Sequence, residues 1–194
     1  MDSTHIEQYV LSRISSRRYA HCLSTAIEMQ RLIQRFSPDY QDLEGAYIAG
    51  IWHDIAREWN DSFLLQYCLK HAIIMESEEY RHPMLLHGAV AAHLLSVRLA
   101  SVPETWKSAI RWHTIGSPAM GILGAILYIA DYMEPLRTHL EEGERDTLLQ
   151  CDTLEQICLS VVHRHLLHLE SKGKTHAVST MDLLDFLEQG GVFV

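Results

Sequence analysis

The segment AYIAGIWHDIAR, residues 46–57, places a histidine and an aspartate in one of the most apolar parts of the chain. Its mixture of small and bulky apolar residues is typical of a helix buried in a protein core. Burial of an unpaired carboxylate costs several kcal/mol, so Asp54 needs a cation or several hydrogen-bond donors. The dipeptide alone leaves two alternatives open: a metal site, or a core histidine beside an aspartate that pairs with Arg57 or Arg18.

Outward from this segment, the apolar pattern is helical almost throughout, and no alternating strand pattern stands out. The pattern predicts helices over 4–14, 17–36, 42–57, 60–71, 84–100, 103–114, 119–133, 145–150 and 154–171, and a last helix capped by Ser179 or Thr180 that ends at Leu187. Residues 76–82 fit a short turn or loop. We therefore expect a single all-α domain over 1–194 with roughly eight to ten helices. Its metal-binding core would span about 17–137, and helices over 145–188 would pack on that core.

Charge and composition exclude several classes of partner. Among 194 residues, 16 are Lys or Arg and 25 are Asp or Glu, a net charge of −9. Such a surface repels long nucleic acids and anionic membranes. The four cysteines include no CxxC pair, no signal peptide is visible, and the longest nearly apolar run, 119–130, is too short to span a bilayer. These features predict a cytoplasmic protein with no long nucleic-acid or membrane partner.

Thirteen histidines are unusual beside 16 Lys and Arg, and they suggest metal or proton chemistry. His21, His87 and His113 lie on other apolar helices, and Asp131 ends the apolar run 119–130. With His53 and Asp54 they give four imidazoles and two carboxylates on five predicted helices. Mixed nitrogen and oxygen ligation suits iron, manganese, cobalt or zinc better than calcium. The remaining histidines fit mostly surface positions, including His163, His165 and His168 on one late helix.

The order His21, His53-Asp54, His87, His113, Asp131 resembles the HD-domain superfamily of metal-dependent phosphohydrolases. Longer sequence motifs narrow the resemblance to the YqeK family, and this resemblance covers roughly 5–180. The motifs are RYAH (18–21), WHDIAR (52–57), LHGAV (86–90), IRWHT (110–114) with GSPAM (116–120), and YIADYMEPLR (128–137).

The resemblance implies an HD-domain helical bundle that hydrolyses diadenosine tetraphosphate symmetrically to two ADP. It implies one or two divalent transition metal ions, with iron as the family expectation, although zinc, manganese or cobalt suit the same donors. The implied metal ligands are His21, His53, Asp54 and Asp131, with His87 and His113 as ligands of a second metal or contacts to substrate phosphates. Arg57 stands where the family usually has lysine, and 177–180 (AVST) keeps only the threonine of a C-terminal motif near the nucleotide base.

In the resulting hypothesis, Asp54, His87 and His113 are the catalytic residues. The substrate-binding residues are Arg18, His21, Asp54, Arg57, His87, His113, Thr114, Asp131 and Arg137. Glu134 is interpreted as a residue that holds Arg137 in place. The alternatives are an HD phosphohydrolase for another nucleotide, a non-catalytic metal or nucleotide sensor, and a helical scaffold. The sequence leaves open a homodimer through a leftover amphipathic face, although no heptad seam is visible.

Overall fold

The computed structural model describes residues 3–138, 140 and 143–194 of the protein. Every regular element in these residues is helical, which confirms the predicted all-α class. The α-helices are α1 (Ser3–Leu11), α2 (Ser16–Phe36), α3 (Leu43–Trp52), α4 (Asp61–Lys70), α5 (Ser77–Arg81), α6 (His87–Arg98), α7 (Glu104–Trp112), α8 (Gly121–Met133), α9 (Glu144–Leu148), α10 (Leu154–Ser171) and α11 (Val178–Glu188). Two 3-10 helices cover Pro83–Leu86 and Pro118–Met120. The eleven α-helices exceed the predicted eight to ten because residues 76–82, predicted as a short turn or loop, contain α5, whose five residues are too few for a periodic signal.

The centre of the molecule is formed by α3 and α8. Neither helix has a polar face, and most residues of both are buried. α2 packs against both of them, and α7 packs against α6 and α8. In addition, the indole Nε1 of Trp52 donates to the carbonyl of Ala91, 2.8 Å away, and so links the end of α3 to α6. None of the helices in the described part of the chain is long and apolar enough to cross a membrane.

Two close backbone contacts bring the site-bearing helices together. A Cβ added to Gly50 of α3 would lie 2.6 Å from Cα of Ala26 in α2. A Cβ added to Gly88 of α6 would lie 2.9 Å from the carbonyl oxygen of Arg111 in α7. Only glycine allows these approaches, since real Cβ atoms do not lie so close to backbone. The first contact sets the spacing of His21 and His53, and the second sets that of His87 and His113.

The third helix ends at Trp52, whereas the sequence predicts a helix through Arg57. The imidazole Nδ1 of His53 lies 2.8 Å from the carbonyl of Gly50. That carbonyl would otherwise accept the next helical hydrogen bond, from the amide of Asp54. Residues 53–59 continue as turns, so His53 and Asp54 lie after a helix end rather than on a helix.

Two further predicted boundaries are wrong for similar local reasons. The predicted helix 84–100 is divided, because a 3-10 segment precedes α6, which begins only at His87. The last helix begins at Val178 with Ala177 as its N-cap, not with a cap at Ser179 or Thr180. The Thr180 hydroxyl is instead buried and donates to the carbonyl of Ile115 at 2.5 Å.

We predict that Gly50→Ala lowers the free energy of unfolding by about 1–3 kcal/mol, because the added methyl must push α3 away from Ala26. Urea denaturation with global fitting measures this change. In a helix without a close neighbour the same substitution would stabilise the protein by about 1 kcal/mol through helix propensity. An increase in stability would therefore contradict the close contact.

Candidate metal centre

The carboxylate of Asp54 lies at the middle of the predicted site and is almost completely buried. Its Oδ2 atom is 3.6 Å from Nε2 of His21 and 3.6 Å from Nε2 of His53. Its Oδ1 atom is 3.2 Å from Nε2 of His87 and 3.6 Å from Nε2 of His113. The two oxygens of one carboxylate thus face two different pairs of histidines.

The carboxylate of Asp131 lies next to His21 and His53, the pair of histidines that faces Oδ2 of Asp54. Its Oδ1 is 3.0 Å from Nε2 of His21 and 3.7 Å from Nε2 of His53. Three groups of donors have their ligand atoms within 4.8 Å of one another: His21, His53 and Asp54; His53, His113 and Asp131; and Asp54, His87 and His113. The structure therefore brings together all six residues that the sequence analysis singled out as candidate metal ligands.

The opposite side of Asp54 is formed by His87, His113 and Thr114. The Nε2 atoms of the two histidines are 3.1 Å apart, and the Thr114 hydroxyl is 3.1 Å from each of them. These three side chains lie on neighbouring segments because α6 and α7 approach closely at Gly88. The two histidines could hold a second ion, and the Thr114 hydroxyl could donate to an oxygen atom of a phosphate.

Three of the histidines are oriented in the same way, by a backbone carbonyl three residues earlier. The Nδ1 atoms of His53, His87 and His113 lie 2.8, 2.6 and 2.7 Å from those carbonyl oxygens. A carbonyl only accepts, so each Nδ1 carries the hydrogen and each Nε2 presents a lone pair. Nδ1 of His21 lies 3.0 Å from the carboxylate of Glu134, which can fix that ring in the same tautomer.

The donor set fits a metal ion, and His53 provides the test. Its ring is fully buried, and its Nε2 atom has no hydrogen-bond partner in the described structure. Carboxylate oxygens of Asp54 and Asp131, which also present lone pairs, lie 3.6 and 3.7 Å from this Nε2 atom. Buried lone pairs that face one another are unfavourable unless a cation lies among them. Imidazole and carboxylate donors together favour a transition metal over calcium.

The protonation states agree with metal binding. Burial lowers the pKa of His53 to about 3, and it also lowers the pKa of His87, so both rings are neutral at pH 7. For Asp54, burial opposes ionisation, but the facing histidines hold its pKa well below the usual range. His21 differs: burial is the largest influence and lowers its pKa, but the hydrogen bond and charge of Asp131, together with the charge of Asp54, raise the pKa above its usual value.

Three arginines surround the centre. Nη1 of Arg18 donates to Oδ2 of Asp54 at 2.7 Å, while its Nε is buried without a partner. Arg137 donates from Nε to the backbone carbonyl of Asp131 at 2.7 Å and from Nη2 to its carboxylate. Arg57 is half-buried, and its guanidinium has no hydrogen bond to any residue that the structure describes. Its positive charge is nonetheless close enough to contribute to the lowered pKa of His87.

The turn after α3 is tied to the start of α2. The backbone amide of Ser15, the N-cap of α2, donates to the carboxylate of Glu58 at 2.8 Å, and its hydroxyl donates to the same carboxylate at 2.5 Å. The Ser15 hydroxyl also accepts from the amide of Arg18. This network holds Arg18 against Asp54 and fixes the direction in which the turn leaves α3.

A cavity of about 610 Å³ opens from the centre towards α8 and α10. His113, Thr114, Asp131 and Arg137 line its inner end. Side chains of α10 line the outer wall. A volume of this size is typical of sites for small molecules.

Two residues of this region have contacts that the sequence analysis missed. Glu134 binds His21 directly, while its Oε1 is 4.0 Å from Nε of Arg137, so its main role is not to hold Arg137.

His165 is half-buried, bonds through Nδ1 to the Tyr128 hydroxyl at 3.0 Å and lines the cavity, so its predicted surface position is wrong. The spacing could have revealed this, since His165 follows the buried Val161 by one helical turn. His163 and His168 are exposed as predicted, and His139 lies outside the described residues.

The sequence profile of the HD domain matches residues 18–136, which include all six candidate ligands. The chain therefore belongs to the HD domain family, whose members depend on a metal ion.

Curated relatives match over nearly the whole chain. A symmetrical bis(5'-nucleosyl)-tetraphosphatase of Bacillus subtilis is 29% identical over 93% of this chain and 95% of its own. An enzyme of the same name from Staphylococcus aureus is 27% identical over 90% and 88% of the two chains. A crystal structure from Clostridium acetobutylicum, described as a "predicted HD superfamily hydrolase involved in NAD metabolism", superposes with a TM-score of 0.86. It is 27% identical and covers 97% of this chain and 98% of its own.

We predict that a divalent transition metal stabilises the protein, because it relieves the buried lone pairs around His53. At a free concentration of 100 times the dissociation constant, the gain is about 2.7 kcal/mol. Thermal unfolding of EDTA-treated protein with added Mn²⁺, Co²⁺, Fe²⁺ or Zn²⁺ measures it.

Calcium is the matched control and should have a much smaller effect, since it prefers oxygen ligands. The stabilisation should also weaken as the pH falls through the raised pKa of His21, because a protonated imidazole cannot bind a metal. Equal effects of calcium and the transition metals would contradict a site built from imidazoles.

Proposed function

We propose that the protein is a metal-dependent hydrolase that cleaves diadenosine tetraphosphate, and related dinucleoside polyphosphates, symmetrically into two ADP. The observation that carries the proposal is the buried Asp54 carboxylate, which faces a different pair of histidines with each oxygen. The relatives that cover at least nine-tenths of this chain and carry the name of that activity support the choice of substrate.

The proposed metal ligands are His21, His53, Asp54 and Asp131, and a second ion would bind between Asp54, His87 and His113. The proposed metal is iron, following the family resemblance; zinc, manganese or cobalt would suit the same donors. When bound, the metal would lower the pKa of the attacking water and withdraw charge from the phosphate oxygens.

The proposed reaction needs no covalent nucleophile. The water oxygen forms a bond to one of the two central phosphorus atoms, and the bond from that phosphorus to the oxygen bridging the central phosphates breaks. The two protons of the water are released to solvent, and each half leaves as ADP. Asp54 remains ionised because its pKa is low, and it orients the water by accepting its hydrogen bond. The Thr114 hydroxyl would donate to an oxygen of the phosphate that is attacked, and His87 and His113, whose Nε2 atoms present lone pairs, would act on that phosphate through the second ion that they hold. This is positioning and charge stabilisation, which dominate phosphoryl transfer.

Arginine side chains would bind the remaining phosphates. Arg18 and Arg137 already lie against the carboxylates of the centre, and Arg57 has a guanidinium with no hydrogen bond in the described structure. Guanidinium groups suit phosphate geometry because they donate two parallel hydrogen bonds. The net charge of −9 does not oppose this binding, since the charge near the site is set by the arginines and the bound metal.

The proposed setting is the cytoplasm, and the free cysteines, three of them buried, agree with a reducing compartment. The proposed partners are the dinucleotide substrate and the ADP product, with no long nucleic acid and no membrane. A homodimer stays an untested prediction.

We predict that metal-loaded protein converts diadenosine tetraphosphate to ADP alone. His53→Ala and Asp131→Ala should lose both the bound metal and turnover, while the exposed His71→Ala serves as a control that keeps both. Ion-exchange chromatography of the products and elemental analysis of the purified variants measure the two quantities.

Formation of AMP and ATP would exclude the symmetrical cleavage. Preferential hydrolysis of nucleoside triphosphates or guanosine polyphosphates would favour another substrate, and nucleotide binding without turnover would favour a sensor. Full metal content and retained turnover in His53→Ala would contradict the ligand assignment.

We predict that Arg57→Ala lowers kcat/KM by about 10- to 100-fold, the loss of one charge-assisted hydrogen bond to a phosphate. Its stability should change by no more than about 0.5 kcal/mol, because the guanidinium has no partner to lose among the described residues. Steady-state kinetics and urea denaturation of the same preparation measure both. Unchanged kcat/KM would show that Arg57 does not contact the substrate.

A further inference from the structure

A buried ion pair joins the two segments that carry His87 and His113. The guanidinium of Arg111 donates from Nη1 and Nη2 to the two carboxylate oxygens of Glu79, each at 2.6 Å. The Glu79 side chain is fully buried, and that of Arg111 is 16% exposed. Arg111 lies in the last turn of α7, which His113 caps, while Glu79 lies on α5. His87 begins the next α-helix along the chain from α5.

Neither residue of the ion pair reaches the metal centre itself. Neighbouring positions of a helix are about 100° apart, so the side chains of Arg111 and His113 point to nearly opposite sides of the end of α7. The Cζ atom of Arg111 lies over the Trp112 ring, 4.2 Å from its centroid. The cavity is lined by neither Glu79 nor Arg111. Any effect of the ion pair on the centre must therefore pass through the backbone that leads to His113 and Thr114.

The helix that carries Glu79 is itself held in place by acidic side chains. A helix of five residues has little stability of its own, so contacts with its neighbours must fix α5. The carboxylate of Glu76 accepts from the backbone amide of Ser179 at 3.3 Å, and that of Glu78 accepts from the Thr175 hydroxyl. Glu79 also accepts from the amide of Glu76 at 2.9 Å. Its carboxylate therefore offers the guanidinium a fixed partner.

The ion pair adds a second point of contact between the segments that carry the two histidines. The close approach at Gly88 fixes the distance between α6 and α7 at one place only. Two fixed points are needed to stop one segment from turning against the other, and a bidentate fork fixes direction as well as distance. The half of the centre that contains His21 and His53 shares neither contact, since Gly50 sets its spacing. Loss of the ion pair should therefore disturb one half of the centre and leave the other in place.

We propose that Glu79 and Arg111 are positioning residues for the reaction, which hold His87, His113 and Thr114 where the second ion and the attacked phosphate need them. This rests on the proposed function, in which those three side chains act on that phosphate. A buried ion pair is often no more stabilising than apolar residues of the same size, so stability alone does not account for it.

The test compares metal-loaded, full-length wild type with Glu79→Gln, which keeps the shape of the side chain and removes its charge. The kcat for diadenosine tetraphosphate should fall about 10- to 100-fold, because a displacement of about 1 Å at the reacting groups has a cost of this size. KM, and Kd for ADP, should stay within about twofold, since the arginines that bind phosphate are not moved. Steady-state kinetics and calorimetry give these values.

Titration of the metal-free protein with Mn²⁺ gives a second readout. The ion proposed to lie between Asp54, His87 and His113 has three protein ligands, one fewer than the other ion, so we expect it to bind more weakly. Its Kd should rise about tenfold in Glu79→Gln, while the Kd of the tighter ion stays unchanged. A general loss of structure would weaken both ions.

Two further variants separate positioning from stability. Arg81→Ala is the matched control, because Arg81 also lies on α5 and pairs with Glu78, but is exposed and does not reach α7. It should behave as wild type in every measurement. Glu79→Met combined with Arg111→Met replaces the pair by apolar side chains of similar length and should be about as stable as wild type. Its kcat should stay low, so the test remains decisive if Glu79→Gln folds poorly.

Wild-type kcat in the stable double variant would overturn the proposal, and so would equal weakening of both Mn²⁺ ions. Wild type that cleaves diadenosine tetraphosphate while Glu79→Gln matches its kcat contradicts only this inference. Wild type that does not cleave the dinucleotide contradicts the proposed function. In that case the Mn²⁺ titration still decides whether the ion pair positions the two histidines, and an unchanged Kd for the weaker ion would contradict it.

Discussion

The rest of the structure depends on the burial of one carboxylate, that of Asp54, at the meeting point of the central helices. A buried ionised carboxylate is stable only when donors or cations surround it. Arg18 donates to it from α2, while His21 of α2, His87 at the start of α6 and His113 at the end of α7 face it with lone pairs that a bound cation would satisfy. The need to stabilise this one carboxylate therefore constrains both the positions of these helices and the composition of the site.

The orientation of three candidate ligand rings is fixed at helix ends. His53, His87 and His113 all stand where a helix begins or ends, and each ring bonds to a carbonyl that lies three residues earlier. The same bond interrupts or limits the helix and fixes the tautomer that presents Nε2. In a site built in this way the ligand rings need little rearrangement to accept an ion, because their rotamers are already set by the backbone.

Strong periodic patterns made much of the fold predictable. The helix 154–171 has the predicted bounds, and α2 differs by one residue at its start. The end of α3 was not predictable from periodicity, because it depends on a hydrogen bond between the His53 ring and Gly50. A pair such as His21 and Glu134 joins residues far apart in the chain, so a single sequence gives no signal for it. Buried His and Asp residues on apolar helices, by contrast, were recognisable as candidates because their burial needs a reason.

The acidic composition and the proposed substrate are compatible because charge acts locally at the centre.

The most direct test of the account is anomalous diffraction from crystals of the manganese- or iron-loaded protein, collected above and below the metal absorption edge. The account predicts a peak within coordination distance of Nε2 of His53 and of carboxylate oxygens of Asp54 and Asp131. A peak elsewhere, or metal-loaded active crystals in which His53 has no metal neighbour, would contradict it.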